Sequence, residues 1–262
     1  MVLRVVAAGR SDVGLLREHN EDSFALLPAH ELFIVADGMG GHRAGEVASQ
    51  LATSTVTAFF DSTMREDATW PFHYDPALSV EENRLVTSIK VANRSIYEEG
   101  VRAADHRGMG TTFVGLLVAR QTNRVFVGHV GDSRCYRVRD GQITLLTQDH
   151  SLINEYIRTM PDLPAAQRDE QLKKFPYKNV ITRALGMKPD VAVEMHRHEL
   201  HPGDVLLLCC DGLTGMLTDQ RIGQIVQEHP SLTDACSALV GEANKNGGLD
   251  NITVVLIRAL AA

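Results

Sequence analysis

The 262-residue chain has 33 acidic against 26 basic side chains, a formal net charge of −7, and no basic run. That balance argues against a nucleic-acid partner, and the longest apolar runs are strand-sized, short of the about 18 residues a membrane helix needs. With 44% hydrophobic and 23% charged residues, the composition is that of a globular protein with a sizeable core. The four cysteines, Cys135, Cys209, Cys210 and Cys236, form no C-x-x-C pair, and a secretory start is missing. A soluble protein of the reducing cytoplasm is therefore expected, with Cys209 and Cys210 packing as small hydrophobes.

Residues 2–8 are apolar and β-branched and predict a first strand. A polar loop, 11–23, carries Arg17, Glu21 and Asp22. Residues 23–27 and 32–36 predict a hairpin around Pro28, which brings Asp22 and Asp37 to the same end. Ala36-Asp37-Gly38-Met39-Gly40-Gly41-His42 then turns the chain into a helix over 43–60, whose apolar positions Val47, Ala48, Leu51, Val56 and Phe59 follow helical spacing. Ser79 with Glu82 is a capping box, opening a second helix with Leu85, Ile89, Ala92 and Ile96 on one face. Two consecutive helices without an intervening strand disfavour a simple βαβ repeat.

Residues 111–119, 124–130, 133–138 and 142–146 predict an antiparallel meander, with Asp140-Gly141 as its strongest hairpin signal. Residues 149–186, with Pro161, Pro164 and Pro176, read as a polar helical insert of the kind that acts as a lid or recognition element. Strands over 191–200 and 204–210 follow, the latter ending in Asp211-Gly212. Helices over 219–228 and 233–244 precede Asp250-Asn251 and a last strand over 252–258. No repeat or linker divides the chain, so residues 1–262 are expected to form one domain of the α+β class. No exposed apolar stripe demands a partner, and a monomer is expected.

Asp37, Asp211 and Asp250 stand where apolar strands start or stop, and Asp22 and Asp132 flank strands in the same way. Clustered carboxylates repel and need protons or cations to be tolerated. Oxygen donors select Mg²⁺ or Mn²⁺ over zinc. His196 and His198 share a strand face but have no third ligand nearby in sequence, so they are read as solvent-exposed. Two hard cations bridged by an aspartate can activate a water for in-line attack on a phosphate, and Arg17 is suited to the phosphate's other oxygens. None of the cysteines has an arginine six residues on, and P-loop and kinase glycine motifs are absent.

Arg17-Glu18-His19-Asn20-Glu21-Asp22, Asp37-Gly38-Met39-Gly40-Gly41-His42 with Gly45-Glu46, Gly110-Thr111-Thr112, Gly131-Asp132-Ser133-Arg134, Asn179 through Gly186, Asp211-Gly212-Leu213 and Asp250-Asn251 follow one another in order. Together they resemble the bacterial branch of the metal-dependent protein serine/threonine phosphatases, the PPM or type 2C family. The resemblance implies a four-layer α-β-β-α sandwich with two antiparallel sheets and a dinuclear Mn²⁺ or Mg²⁺ centre at one end. By motif, Asp37 bridges the metals, the Gly38 carbonyl helps hold one, and Asp211 and Asp250 complete the other's shell. Glu21 and Asp22 contact the second metal or order its waters, Asn251 supports Asp250, and Asp132 with Asp211 forms a third, weaker site. Arg17 binds the substrate phosphate, and the 149–186 insert corresponds to a flap.

The implied activity is hydrolysis of phosphoserine and phosphothreonine in protein substrates, a Ser/Thr kinase or its targets among them, by water activated between the metals. Met39 stands where eukaryotic relatives carry a histidine general acid, so either His42 or a metal-bound water supplies that proton. Two rivals are weighed: a catalytically inactive phosphoprotein-binding module on this fold, which would lack metal carboxylates, and a phosphatase for non-protein phosphoesters.

Overall fold

The strand that carries Asp37 is buried on both faces. In the computed structural model, which describes residues 3–40, 43–63, 72, 74–160, 175–177 and 180–261, this strand, β3, spans Leu32–Met39. Leu32, Ile34 and Ala36 pack against helices α1 (Ala44–Ser62) and α2 (Val80–Arg102). Phe33 and Val35 turn the other way, into a layer between two sheets. Side chains alternate across a strand, so a doubly covered strand needs an unbroken apolar run.

The remaining strands are β1 (Leu3–Asp12), β2 (Asp22–Leu27), β4 (Gly110–Thr111), β5 (Phe113–Ala119), β6 (Arg124–Val130), β7 (Arg134–Arg139), β8 (Gln142–Leu145), β9 (Glu194–Glu199), β10 (Val205–Cys209) and β11 (Ile252–Ala261). One sheet has the order β1-β11-β10-β7-β8, the other β2-β3-β5-β6-β9 with β4 paired to β3. Neighbouring strands run antiparallel, as in β1 against β11 and β5 against β6. Helices α5 (Asp219–Glu228) and α6 (Leu232–Lys245) cover the first sheet's outer face, packing Ile222, Ile225, Ala235 and Leu239 on Leu207, Val254 and Leu256. The result is the expected α-β-β-α sandwich. α2 opens on the capping box read from sequence: Glu82 N–H donates to Ser79 Oγ, and Ser79 N–H donates to Glu82 Oε2.

The meander expected over 111–146 is split. β5 and β6 pair in one sheet, β7 and β8 in the other, and Gly131-Asp132 carries the chain across. Gly131 takes φ +107°, and a Cβ there would lie 2.7 Å from the Thr112 side chain, so only glycine fits this crossing. Turn signals mark where a strand ends but not which sheet takes the next one. By contrast, Asp140 (φ 49°) and Gly141 (φ 82°) make the two-residue turn of the β7–β8 hairpin, with Arg139 paired to Gln142. β1 and β11 each run several residues beyond their predicted ends because they pair with each other from Leu3–Ala261 to Asp12–Ile252. β9 starts at Glu194 rather than 191, and a short helix, α4 (Asp211–Thr214), follows Cys210 directly.

Within the insert, α3 spans Leu152–Arg158. Residues 161–174 and 178–179 of the predicted insert lie outside the described residues. The insert's two ends are joined: Leu152 N–H donates to Val180 O and Thr182 N–H to His150 O, both at 2.8 Å. Leu185 exchanges backbone hydrogen bonds with Thr111, and Gly186 N–H reaches Asn93 Oδ1 on α2. The segment is thus anchored on β4 and α2.

Candidate metal centre at one end of the sandwich

Antiparallel pairing converts scattered aspartates into a cluster. Asp22 opens β2 and pairs in register with Asp37 of β3. β10 ends at Cys209, two residues before Asp211, beside the start of β11, two residues after Asp250. β6 ends at Val130, two residues before Asp132. All five carboxylates therefore meet at one end of the two sheets, and Asp22, Asp211, Asp132 and Asp250 all act on the charge of Asp37.

The backbone around them is tightly fitted. A Cβ on Gly38 would lie 2.1 Å from Gly45 O and 2.5 Å from Glu21 O, and one on Gly212 would lie 1.9 Å from Asn251 O. The glycines let the α1 and α4 starts close onto the strand ends. Asn251, buried, ties the loop before β2 to β11: its Nδ2 donates to Val13 O and His19 O at 2.9 Å, and its Oδ1 accepts from Glu21 N–H at 2.8 Å. Its own N–H donates to Asp250 Oδ1 at 2.8 Å, which orients that carboxylate.

Electrostatically the cluster is overloaded. Burial first, then the Asp22 and Asp211 charges, push the Asp37 carboxyl well above its usual range. Burial raises Asp22 to about 7 against the Thr253 hydroxyl, which donates to its Oδ2 at 2.6 Å. Asp132 is likewise raised to about 7 by burial and then by Asp211 and Asp149. Asp211 is raised by burial and Asp250, with a side-chain hydrogen bond to Asp37 opposing the shift. Glu21 is raised mainly by burial, and its buried Oε1 has no hydrogen-bond partner among the described residues. Repelling carboxylates with a spare buried oxygen fit divalent cations: positive charge removes the repulsion and fills the open lone pairs.

Arg17 is half-exposed, with Nη2 2.7 Å from Asp250 Oδ2, so its guanidinium stands at the rim of the cluster. His42 lies outside the described residues. The structure thus brings together Arg17, Glu21, Asp22, Asp37, Gly38, Asp132, Asp211, Asp250 and Asn251.

Sequence reasoning assigned no role to Thr111, Thr112, Thr253 or Cys210, all at the centre. Thr111 Oγ1 donates to Asp37 O at 2.8 Å, and Thr112 Oγ1 accepts from Asp37 N–H at 3.1 Å. Thr253 is a fully buried hydroxyl in the otherwise apolar run 252–257, and a polar side chain at such a position needs a partner; that was its available signal. Cys210 packs in the layer between the sheets, as expected, but Sγ also comes within 4.8 Å of the Asp22 and Asp37 oxygens. Burial pushes its thiol well above the usual range. It is therefore a protonated neighbour rather than a thiolate ligand, and the donor set stays oxygen.

The reading of His196 and His198 as solvent-exposed is corrected. Both are half-buried on the inner face of β9, where they stack in a row with His129 and His150. The third partner comes from a neighbouring strand, which spacing along the sequence does not reveal.

Two antiparallel sheets between helix pairs, with an acidic cluster where the sheets open, define a metal-dependent phosphatase scaffold. The family profile described as protein phosphatase 2C matches residues 17–250, and the chain belongs to that family. It is 35% identical over 256 residues to the serine/threonine phosphatase Stp of Listeria welshimeri, covering 95% of this chain and 93% of that one. Its fold is similar to the Mycobacterium tuberculosis serine/threonine phosphatase PstP/Ppp, with a TM-score of 0.82, 34% identity and 100% of both chains covered. A structure of the PstP catalytic domain in complex with two manganese ions matches with a TM-score of 0.80 at 32% identity, over 99% of this chain and 100% of that one. The chain is accordingly a protein phosphatase of the metal-dependent type. Among its described residues, no helix is long and apolar enough to cross a membrane.

Proposed function

We propose that this phosphatase hydrolyses phosphoserine and phosphothreonine in proteins through two Mn²⁺ or Mg²⁺ ions held by Asp37, the Gly38 carbonyl, Asp211 and Asp250, with Glu21 and Asp22 ordering the second ion's surroundings. Asp132 and Asp211 hold a third, weaker ion. The single observation that carries this reading is the cluster of mutually repelling, partly buried carboxylates at the end of the sandwich, with Asp22 and Asp132 raised to about 7 and Asp37 well above its usual range. When bound, such ions supply Lewis-acid activation of water and neutralise phosphate charge.

The chain's own residues do the positioning. Arg17, already at the rim, binds two phosphate oxygens through its planar fork. Asn251 fixes both the Asp250 carboxylate and the loop that carries Arg17. The proton for the departing serine or threonine oxygen comes from His42 or from a water at the centre. No phosphoenzyme forms: the buried thiols are protonated, with Cys135 and Cys209 raised by burial as Cys210 is. The 149–186 segment serves as a flap. A groove lined by Met39, Ile181, Ala184 and Met187 lies beside the C-terminal end of that segment, and suits the residues flanking a phosphorylated side chain. In the cell the enzyme opposes a Ser/Thr kinase.

The test is hydrolysis of a phosphothreonine peptide with Mn²⁺, with Mg²⁺ and with chelator, for the wild type and for Asp37→Asn and Asp211→Asn. Turnover only with metal, lost in both variants, is expected. Turnover in chelator, or full activity in either variant, overturns the mechanism. Competition between the peptide and a small phosphoester separates a protein substrate from a non-protein one, and phosphoproteomics of a deletion strain identifies the opposed kinase sites.

A further inference from the structure

A second group of potential metal ligands lies away from the carboxylate centre. His129, near the end of β6, pairs in register with Glu194, the first residue of β9, and His196 is two residues further along β9. The three therefore share one face of the sheet, turned toward the other sheet at the open edge strand. One donor atom from each lies within 4.8 Å of the other two. His196 Nε2 and Glu194 Oε1 are 3.2 Å apart. Ligand atoms on a tetrahedral zinc, with bonds of 2.0–2.1 Å, lie about 3.3 Å from one another.

The protonation pattern is set by the surroundings. His129 is fully buried, and its Nε2 donates to Gln148 O at 2.9 Å. That leaves the lone pair on Nδ1, which is buried with no hydrogen-bond partner among the described residues. His196 Nε2 is also buried and makes no properly aligned hydrogen bond. An orphaned buried acceptor costs about 1–3 kcal/mol unless something satisfies it. His150 Nδ1 accepts the Gly131 N–H at 3.0 Å, so its Nε2 carries the proton and donates to Glu194 Oε2 at 3.0 Å. Glu194 is thus held by one oxygen while the other faces His196. Histidine ligands whose second nitrogen donates to a carbonyl, and carboxylate ligands held by an outer hydrogen bond, are the usual supports of a metal site.

We infer that His129 Nδ1, Glu194 Oε1 and His196 Nε2 form a binding site for a borderline divalent transition ion of the Zn²⁺ class, with water in the fourth position. Two imidazoles and one carboxylate match zinc's preference, whereas Mg²⁺ and Mn²⁺ favour the all-oxygen cluster. The site sits at the base of the 149–186 segment: Gln148 and His150 support it, and Arg183, whose Nη1 is 3.1 Å from His150 Nε2, closes the other side. Zinc there braces the N-terminal end of that segment against the sheet edge through Gln148 and His150.

The experiment uses tag-free, full-length protein carrying Asp37→Asn and Asp211→Asn, so that the oxygen cluster no longer competes. Zinc is titrated against a chromophoric chelator, with imidazole ¹⁵N NMR as a second readout. The expected result is one equivalent of bound zinc, with the His129 Nδ1 and His196 Nε2 resonances moving and the melting temperature rising. Adding His196→Ala, or separately Glu194→Gln, weakens binding at least about tenfold while the protein still melts cooperatively. In the otherwise wild-type background, Glu194→Gln keeps Mn²⁺-dependent turnover. Absence of zinc binding in the cluster-disabled protein overturns the inference. So does affinity unchanged by both substitutions, or zinc binding that leaves the two resonances in place.

Discussion

Asp132→Asn separates the electrostatic cost of the carboxylate cluster from its use. Burial, Asp211 and Asp149 raise the Asp132 carboxyl from 3.8 to about 7, with Arg134 opposing. At about 1.4 kcal/mol per pH unit, that rise amounts to roughly 4 kcal/mol, a ceiling because neighbouring groups relax. Below pH 3.8 the carboxyl is protonated in both the folded and the unfolded chain, and asparagine differs little from it. Between 3.8 and about 7 the folded state keeps a proton that the unfolded chain has released, so folded stability falls as pH rises. Above 7 the full penalty is present. In chelator at pH 8, the asparagine variant should therefore be more stable by up to roughly 4 kcal/mol, on the order of 10 °C in melting temperature for a domain of this size. The advantage should shrink toward zero near pH 4, and saturating Mn²⁺ should narrow it at pH 8 by neutralising the wild-type carboxylate. Denaturant titrations and thermal melts across pH, with and without Mn²⁺, provide the assay. A variant no more stable than wild type in chelator at pH 8, or one whose advantage does not vary with pH, would refute the reasoning.

Arg17→Ala should lower kcat/KM on a phosphopeptide by about 10²-fold, with Arg17→Lys restoring only part because lysine lacks the bidentate fork; steady-state kinetics at saturating Mn²⁺ decides. Asn251→Ala should cost about 3 kcal/mol in chelator, since it strips partners from Val13 O, His19 O and Glu21 N–H; an unchanged urea midpoint would contradict the stapling role. Gly212→Ala should abolish Mn²⁺-dependent turnover, because the added Cβ would lie 1.9 Å from Asn251 O and force α4 away from Asp250. Glu82→Ala should destabilise by about 1 kcal/mol, chiefly through loss of the α2 capping box, the pair with the exposed Arg197 adding little, with kcat unchanged because it lies outside the centre.

Much of the chemistry was legible without coordinates. Each aspartate of the centre sits beside a strand end or turn that is visible in the sequence, and the capping box and the Asp140-Gly141 turn are local patterns dictated by local backbone geometry. The layers were legible too, because unbroken apolar runs such as Leu32-Phe33-Ile34-Val35-Ala36 require cover on both faces. The amino-acid sequence alone thus determined the family, the helix pairs and the members of the acidic cluster. Tertiary pairing decided the rest. Which sheet β7 joins depends on a crossing at Gly131 that carries no periodic signal. The partners of Asp22 and Asp37 are hydroxyls from Thr253 and Thr112, more than 70 residues away. The histidines of β9 gain a buried neighbour only because β6 lies alongside them. A strand's alternation tells which side chains share a face; what faces them is set by which strand comes to pair, and that is a long-range outcome of burying the whole core at once.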